Sequence, residues 1–282
     1  MKNLDREFIK SKLPKRKPES NKGDFGKVFN IVGSNQYLGA AILASLACLR
    51  VGAGYSIINI PENILRSFSN ISPDLIYTKR TGKVDNTLEQ IENLKINSIV
   101  LGCGIGREKE TVKFVKTLLF ELKNSQIPIV IDADGLNCIA LSSISALPKN
   151  TILTPHPKEL SRLLNIDSEK IINDREKYIN IAAEKYSATV VLKGHNTLIK
   201  ANKDIYQNTT GNTALSKAGT GDILAGMLGG FLAQKLSTVD AAILGVYLHG
   251  LAGDLYSNDF CQYSMLASDL LNYIPLALKN IL

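Results

Sequence analysis

Apolar and polar positions along the chain fall into two alternating rhythms. Short, mostly apolar runs of strand length, interrupted inside only by Asn30, Ser56 and Asn59, occur at 28–32, 55–60, 98–101, 128–131, 151–153 and 189–192. Longer segments carry apolar residues at helical spacing, at 40–51, 109–123, 222–234, 239–256 and 264–279. Gly52 and Gly54 close the first helix, and Pro61 closes the second strand. Pro157 suits a first helical turn, Glu159 suits its positive end, and Ser237 or Thr238 suits a cap. Residues 196–200 and 204–206 read as a hairpin. Strand followed by helix, repeated, predicts a mostly parallel sheet covered on both faces. No fixed-period repeat, low-complexity tract or Pro/Gly linker divides the chain, which predicts one domain over 1–282 with a loose leader over 1–23.

The residues that break these rhythms are the informative ones. Gly33-Ser34, Gly102 to Gly106, Asp132 to Gly135, Thr154 to His156 and Lys193 to His195 each follow a predicted strand. Ligands of open α/β sheets bind beyond the carboxyl ends of the strands, so these loops are expected to share one edge. Opposite them stands Gly219-Thr220-Gly221-Asp222, leading into the apolar run 223–233. Glycines let backbone approach a ligand closely, and a helix start offers free N–H groups to phosphate. A carboxylate there can take the proton of an attacking hydroxyl, so the set predicts phosphoryl transfer with Asp222 as base.

The remaining chemistry is less one-sided. Gly102-x-Gly104-x-Gly106 is one residue short of a dinucleotide fingerprint, and no Walker A string is present. Lys193 ends a buried strand and needs a charged partner there, for which a nucleotide phosphate is a candidate. His156, in Thr-Pro-His-Pro, is expected to touch substrate, and His195 to touch nucleotide. His249, inside an apolar helix, reads as a satisfied core histidine. Asp132 and Asp134 could hold Mg²⁺ through water or cap the following helix.

Composition narrows the classes. The chain has 282 residues, 45% hydrophobic and 21% charged, with a net charge of +7. That charge is either an unspecialised basic surface or a field for anionic substrates. Lys and Arg are dispersed rather than striped, which argues against nucleic acid. Cys48, Cys103, Cys138 and Cys261 show no metal-ligand spacing, which predicts a reducing, cytoplasmic setting. No apolar run is long enough to span a bilayer, and the N-terminus has no secretory signal pattern.

The ordered set of strings resembles the ADP-dependent NAD(P)H-hydrate dehydratases of the ribokinase-like superfamily. It runs from Gly26-Lys27 and Tyr37-Leu38-Gly39-Ala40 through Gly102-x-Gly104 and Asp132-Ala133-Asp134-Gly135. It continues through Thr154-Pro155-His156-Pro157-x-Glu159, Leu192-Lys193-Gly194-His195-x-Thr197 and Gly211-Asn212-x-Ala214-Leu215 to Gly219-Thr220-Gly221-Asp222. The resemblance implies a ribokinase-like three-layer α/β/α sandwich. It implies dehydration of the S-form of NADH or NADPH hydrate (NADHX, NADPHX), with Mg²⁺ and with ADP, or ATP, as co-substrate.

By position it makes Asp222 the catalytic base and a substrate contact, with Ala40, Gly104 and His156 also on the hydrate. Lys193, Gly194, His195, Asn196, Thr197, Gly219, Thr220 and Gly221 would hold the nucleotide. It also implies a homo-oligomer, tetrameric by family analogy, and a chain without the epimerase domain many members carry. Cys103 stands where the family more often has Pro, with little consequence expected. A small-molecule kinase of the same fold, acting on a vitamin precursor or sugar, is the alternative; a non-catalytic nucleotide sensor is the third reading.

Overall fold

The structure is a computed structural model that describes residues 2–65, 71–144 and 146–282. Ten strands form one sheet: β1 (Lys2–Asn3), β2 (Lys27–Ile31), β3 (Tyr55–Pro61), β4 (Ile76–Arg80), β5 (Ser98–Leu101), β6 (Ile129–Ile131), β7 (Thr151–Leu153), β8 (Thr189–Leu192), β9 (Leu198–Ala201) and β10 (Asp204–Gln207). Their spatial order is β1-β10-β9-β8-β7-β6-β5-β2-β3-β4. The run from β8 to β4 is parallel throughout, and β9 and β10 add an antiparallel hairpin. The predicted sheet is therefore present, and helices cover both of its faces.

Alternation along each strand divides the core into two layers. Val28, Val100, Val130, Ile152 and Val191 face the layer built on helices Leu38–Arg50, Thr220–Ala233, Thr238–Asp259 and Ala267–Ile281. Phe29, Ile99, Leu101, Ile129, Ile131 and Leu153 face the other, under helices Val84–Asn93, Lys109–Glu121, Asp134–Ser142, Pro157–Leu164 and Arg175–Tyr186. Both faces of each central strand are buried, which is why these strands read as mostly apolar runs, with the few polar members such as Asn30 and Ser56 buried as well.

Helix Thr220–Ala233 carries the predicted Asp222 turn, and small residues set its position. Gly226 packs so tightly on helix Leu38–Arg50 that an added Cβ would lie 2.0 Å from the Ala44 carbonyl oxygen. Its φ is not left-handed, so the demand is steric. Gly226→Ala is expected to destabilise the fold by roughly 1–3 kcal/mol, despite the better helix propensity of Ala. A urea midpoint unchanged from the parent would contradict this account of the contact.

The N-terminal leader differs from expectation. β1 pairs with β10 in parallel, and the Leu4 amide donates to the Gln207 carbonyl at 3.3 Å. A short helix, Arg6–Ser11, follows, with Leu4 and Ile9 buried in the first core layer. Residues 21–26 form a capped turn that seats against the start of β3. The leader looked loose because its charges alternate and only two of its apolar side chains are fully covered. Strand β4 and helices 84–93, 168–173 and 175–186 are further elements that the sequence pattern does not predict. Among the described residues no helix is long and apolar enough to cross a membrane.

Candidate active site

The strand-end loops meet where expected. The Gly33 amide donates to the Cys103 carbonyl at 2.8 Å, and the Gly102 amide to the Ile31 carbonyl at 3.1 Å. These bonds lace the β2 loop to the β5 loop. Gly102 (φ +125°) sits where a Cβ would lie 2.0 Å from the Asp132 carbonyl oxygen, so only glycine brings the β5 and β6 loops this close. Ala133 reverses the chain with φ 50° and ψ −118° between Asp132 and Asp134. The two carboxylates then take different partners.

Asp132 is buried and accepts from Lys193 Nζ at 2.6 Å; Lys193 also lies 3.8 Å from Glu159 Oε2. Asp134 accepts from the Gly106 amide at 3.0 Å and holds the glycine loop. The capping reading of these aspartates is not what the structure has: Ala133, not Asp132, precedes the helix, and no side-chain cap bond forms there. Within the protein the partners of Lys193 are two buried carboxylates, which answer the burial cost the sequence raised.

Glu159 closes a capping box with His156. Its Oε2 accepts from the His156 amide at 2.9 Å, while His156 Nδ1 accepts from the Lys158 and Glu159 amides at 3.1 and 3.3 Å. The ring proton is thereby placed on Nε2, which lies 3.6 Å from Glu159 Oε1. Burial and then Lys193 hold His156 below its ordinary pKa, so it is a neutral cap beside the site. Burial raises the Glu159 carboxyl, opposed chiefly by Lys193.

Asp222 lies in the first turn of helix Thr220–Ala233, with Gly219 before it in a left-handed conformation, φ 97°. Its carboxylate, Asp132 and the Cys103 sulfur have ligating atoms within 4.8 Å of one another. Among the described residues Asp222 forms no ion pair, whereas Asp132 is paired with Lys193. Burial, and then the neighbouring Asp132 charge, push it up to about 6. Such a value suits a base working near neutral pH.

Lys193, Gly194, His195, Asn196, Thr197, Thr220 and Gly221 line one cleft of about 500 Å³. Arg175 donates to the His195 and Leu192 carbonyls at 2.6 and 3.0 Å and fixes the β8 loop. Gly219 is not part of this wall: a Cβ there would meet Leu43 and Ala267 instead, so its contribution is backbone conformation. Ala40 and Gly104 face each other beyond the helix start; a Cβ on Gly104 would lie 3.0 Å from that of Ala40. His249 donates from Nε2 to the Thr220 carbonyl at 2.9 Å, and burial lowers its pKa to about 4. It braces the helix start as a neutral ring. Sequence reading missed Asp254, which accepts from the Gly211 amide and from Asn212 Nδ2, both at 2.8 Å. Helical spacing from Gly250, four residues earlier on the same face, is the signal the sequence holds for it.

Comparison with known proteins bears on the fold and the family. The family described as NAD(P)H-hydrate dehydratase matches residues 28–276. A bifunctional NAD(P)H-hydrate repair enzyme of Moorella thermoacetica is 34% identical over 97% of the chain, which spans only 53% of that protein. The chain thus covers about half the length of such relatives. An ADP-dependent (S)-NAD(P)H-hydrate dehydratase of Bacillus subtilis is 31% identical, covering 97% of this chain and 96% of the other. A crystal structure of the Bacillus subtilis ADP/ATP-dependent NAD(P)H-hydrate dehydratase, co-crystallized with ATP/Mg²⁺, superposes with a TM-score of 0.88 at 30% identity, covering 100% and 99% of the two chains. With its ribokinase-like sheet, its glycine loops and its unpaired helix-start aspartate, the chain belongs to the NAD(P)H-hydrate dehydratase family.

Proposed function

We propose that this chain dehydrates the S-form of NADH or NADPH hydrate at the expense of ADP, giving NAD(P)H, AMP and phosphate. The observation that carries the reading is Asp222. It is partly buried, free of any ion pair among the described residues, and set between the nucleotide cleft and the Gly102–Gly106 loop. In this reading Asp222 takes the proton from the ring hydroxyl as that oxygen attacks the terminal phosphorus of ADP. AMP leaves, and the hydroxyl has become a phosphate ester. The ring nitrogen then donates its electron pair, the carbon–oxygen bond breaks and phosphate departs, and loss of a proton from the adjacent ring carbon to the departing phosphate or water restores the ring double bond of NAD(P)H.

The amides of the Thr220 turn and the positive end of the helix stabilise charge on the transferred group. Ala40, Gly104 and His156 border the hydrate; Lys193 to Thr197, with Thr220 and Gly221, border the nucleotide. Lys193 acts by neutralising Asp132 and Glu159, which leaves the cleft less hostile to an anionic phosphate. Mg²⁺ would supply charge neutralisation on the phosphates. The three clustered ligating atoms do not form an oxygen cage, because one is sulfur and Asp132 already carries Lys193. An ion arriving on the nucleotide and keeping its waters fits them better than one caged by protein.

The same reading has the chain working as a single domain in the cytoplasm, as a homo-oligomer, a tetramer by family analogy. Three buried free cysteines accord with a reducing compartment.

The test is incubation of purified protein with hydrated NADH, Mg²⁺ and either ADP or ATP. Recovery of nicotinamide absorbance, with stoichiometric phosphate, is expected. A phosphorylated product that persists would instead indicate a small-molecule kinase. Absence of recovery with both nucleotides would remove the dehydratase reading.

A further inference from the structure

We infer that Cys103 is a positioning residue of this site, its thiol donating an S–H hydrogen bond to the Asp222 carboxylate and holding it toward the cleft. The inference rests on the reading of Asp222 as the base. Three observations carry it. Cys103 is wholly buried, on a loop whose backbone is locked by the Gly33 bond to its own carbonyl and the Gly102 bond to Ile31. Its sulfur lies within 4.8 Å of carboxylate oxygens of both Asp132 and Asp222. Lys193, the nearby cation, is spent on Asp132 at 2.6 Å. The thiol is therefore the side chain that steadies the unpaired carboxylate.

The charged and titratable groups around Asp222 come from every packed element. Asp132 and Asp134 follow β6, Lys193 follows β8, and Glu159 lies behind Lys193. His249 approaches from helix Thr238–Asp259 but is a neutral ring bonded to Thr220. Burial, and then the Asp222 and Asp132 charges, hold the Cys103 thiol well above its ordinary pKa, so it stays protonated and remains a donor. A donor to a carboxylate favours its ionised form. The thiol thus opposes the burial and the Asp132 charge that raise Asp222. The geometry consequently gives Cys103 an influence on base strength that the family resemblance did not lead one to expect.

The test is ¹³C NMR titration of labelled aspartate carboxyls in the whole chain, with Asp222→Asn to assign the signal. The Cys103→Ala variant is expected to titrate on the order of half a unit higher than the parent. The Cys103→Ser variant, which restores a donor, is expected to titrate at or below the parent. The acidic limb of the rate profile should move in the same direction. An Asp222 titration unmoved in folded Cys103→Ala would overturn the inference. Should that variant fail to fold, infrared spectroscopy of the parent decides. An S–H stretching band that shifts as Asp222 protonates supports the bond, and one indifferent to that step overturns it. Neither measurement needs turnover, so loss of the dehydratase reading and loss of this one are separately visible.

Discussion

Asp222→Asn is expected to lower turnover by about 10²- to 10⁴-fold while making the protein more stable above pH 6. Both effects come from one environment. Burial and the Asp132 charge raise the Asp222 carboxyl from 3.8 to about 6. The folded state therefore binds that proton more tightly than the unfolded state does. Stability is greatest below the unfolded value and falls as pH rises toward the folded value. Above it the full cost is present, up to about 3 kcal/mol for a displacement of about two units. Asn carries no charge and escapes this cost.

Chemical denaturation at pH 7.5 should accordingly place the variant above the parent, with the gap closing toward pH 4. Activity of the parent should fall on the acidic side with a midpoint near 6, because protonated Asp222 cannot accept the hydroxyl proton. A variant with normal turnover would show that Asp222 is not the base. A variant with lost turnover and lost stability would show that the carboxylate has a structural partner instead.

Lys193→Met is expected to be the most damaging single change in the site. Its ammonium stands 2.6 Å from Asp132 and 3.8 Å from Glu159, and those carboxylates are 1% and 6% exposed. Removing the cation leaves two buried carboxylates facing one another. Breaking a buried pair in this way costs about 3–5 kcal/mol. For a chain of this size that is a fall of roughly 10 °C in Tm. The pH dependence separates this from lost packing. Without Lys193 the carboxylates shift upward, so the variant's deficit should shrink as pH falls and they take up protons. A deficit independent of pH would point to packing of the lysine stem. Nucleotide affinity should fall as well, since the charge that offsets two carboxylates beneath the cleft is gone.

The sheet and the ligand edge were legible because buried parallel strands and the loops after them leave local marks. Val28 to Ile31 and Ser98 to Leu101 are covered on both sides, so no polar residue on a solvent face confuses the pattern. The glycines and polar residues that follow are there because backbone must come close to backbone, as at Gly102. Strand β4 was missed for the opposite reason. It is an edge strand with Ile76 and Lys79 exposed and with Arg80 turned under the Val32 and Gly33 carbonyls. Helix Arg175–Tyr186 was missed because its face toward the core is thin and its charges dense.

Pairings at long range left no local mark at all. Lys193 was legible as a buried cation in need of a partner, but the partner, Asp132, is 61 residues away in sequence. The Asp254 contact to Gly211 spans 43 residues and was likewise invisible. Sequence located the groups that the fold gathers at the strand ends, and folding decided which of them bind each other.

The two-residue strand β1 closes one margin of the sheet. Without the opening segment, β10 would present a bare ladder of amides and carbonyls, and the Ile9 socket would open beside it. Bare ladders recruit strands from other molecules, so these first residues serve as a guard against self-association. A fusion partner or shortened version that displaces them would trade a solved purification problem for precipitation, even with every ligand-facing group intact.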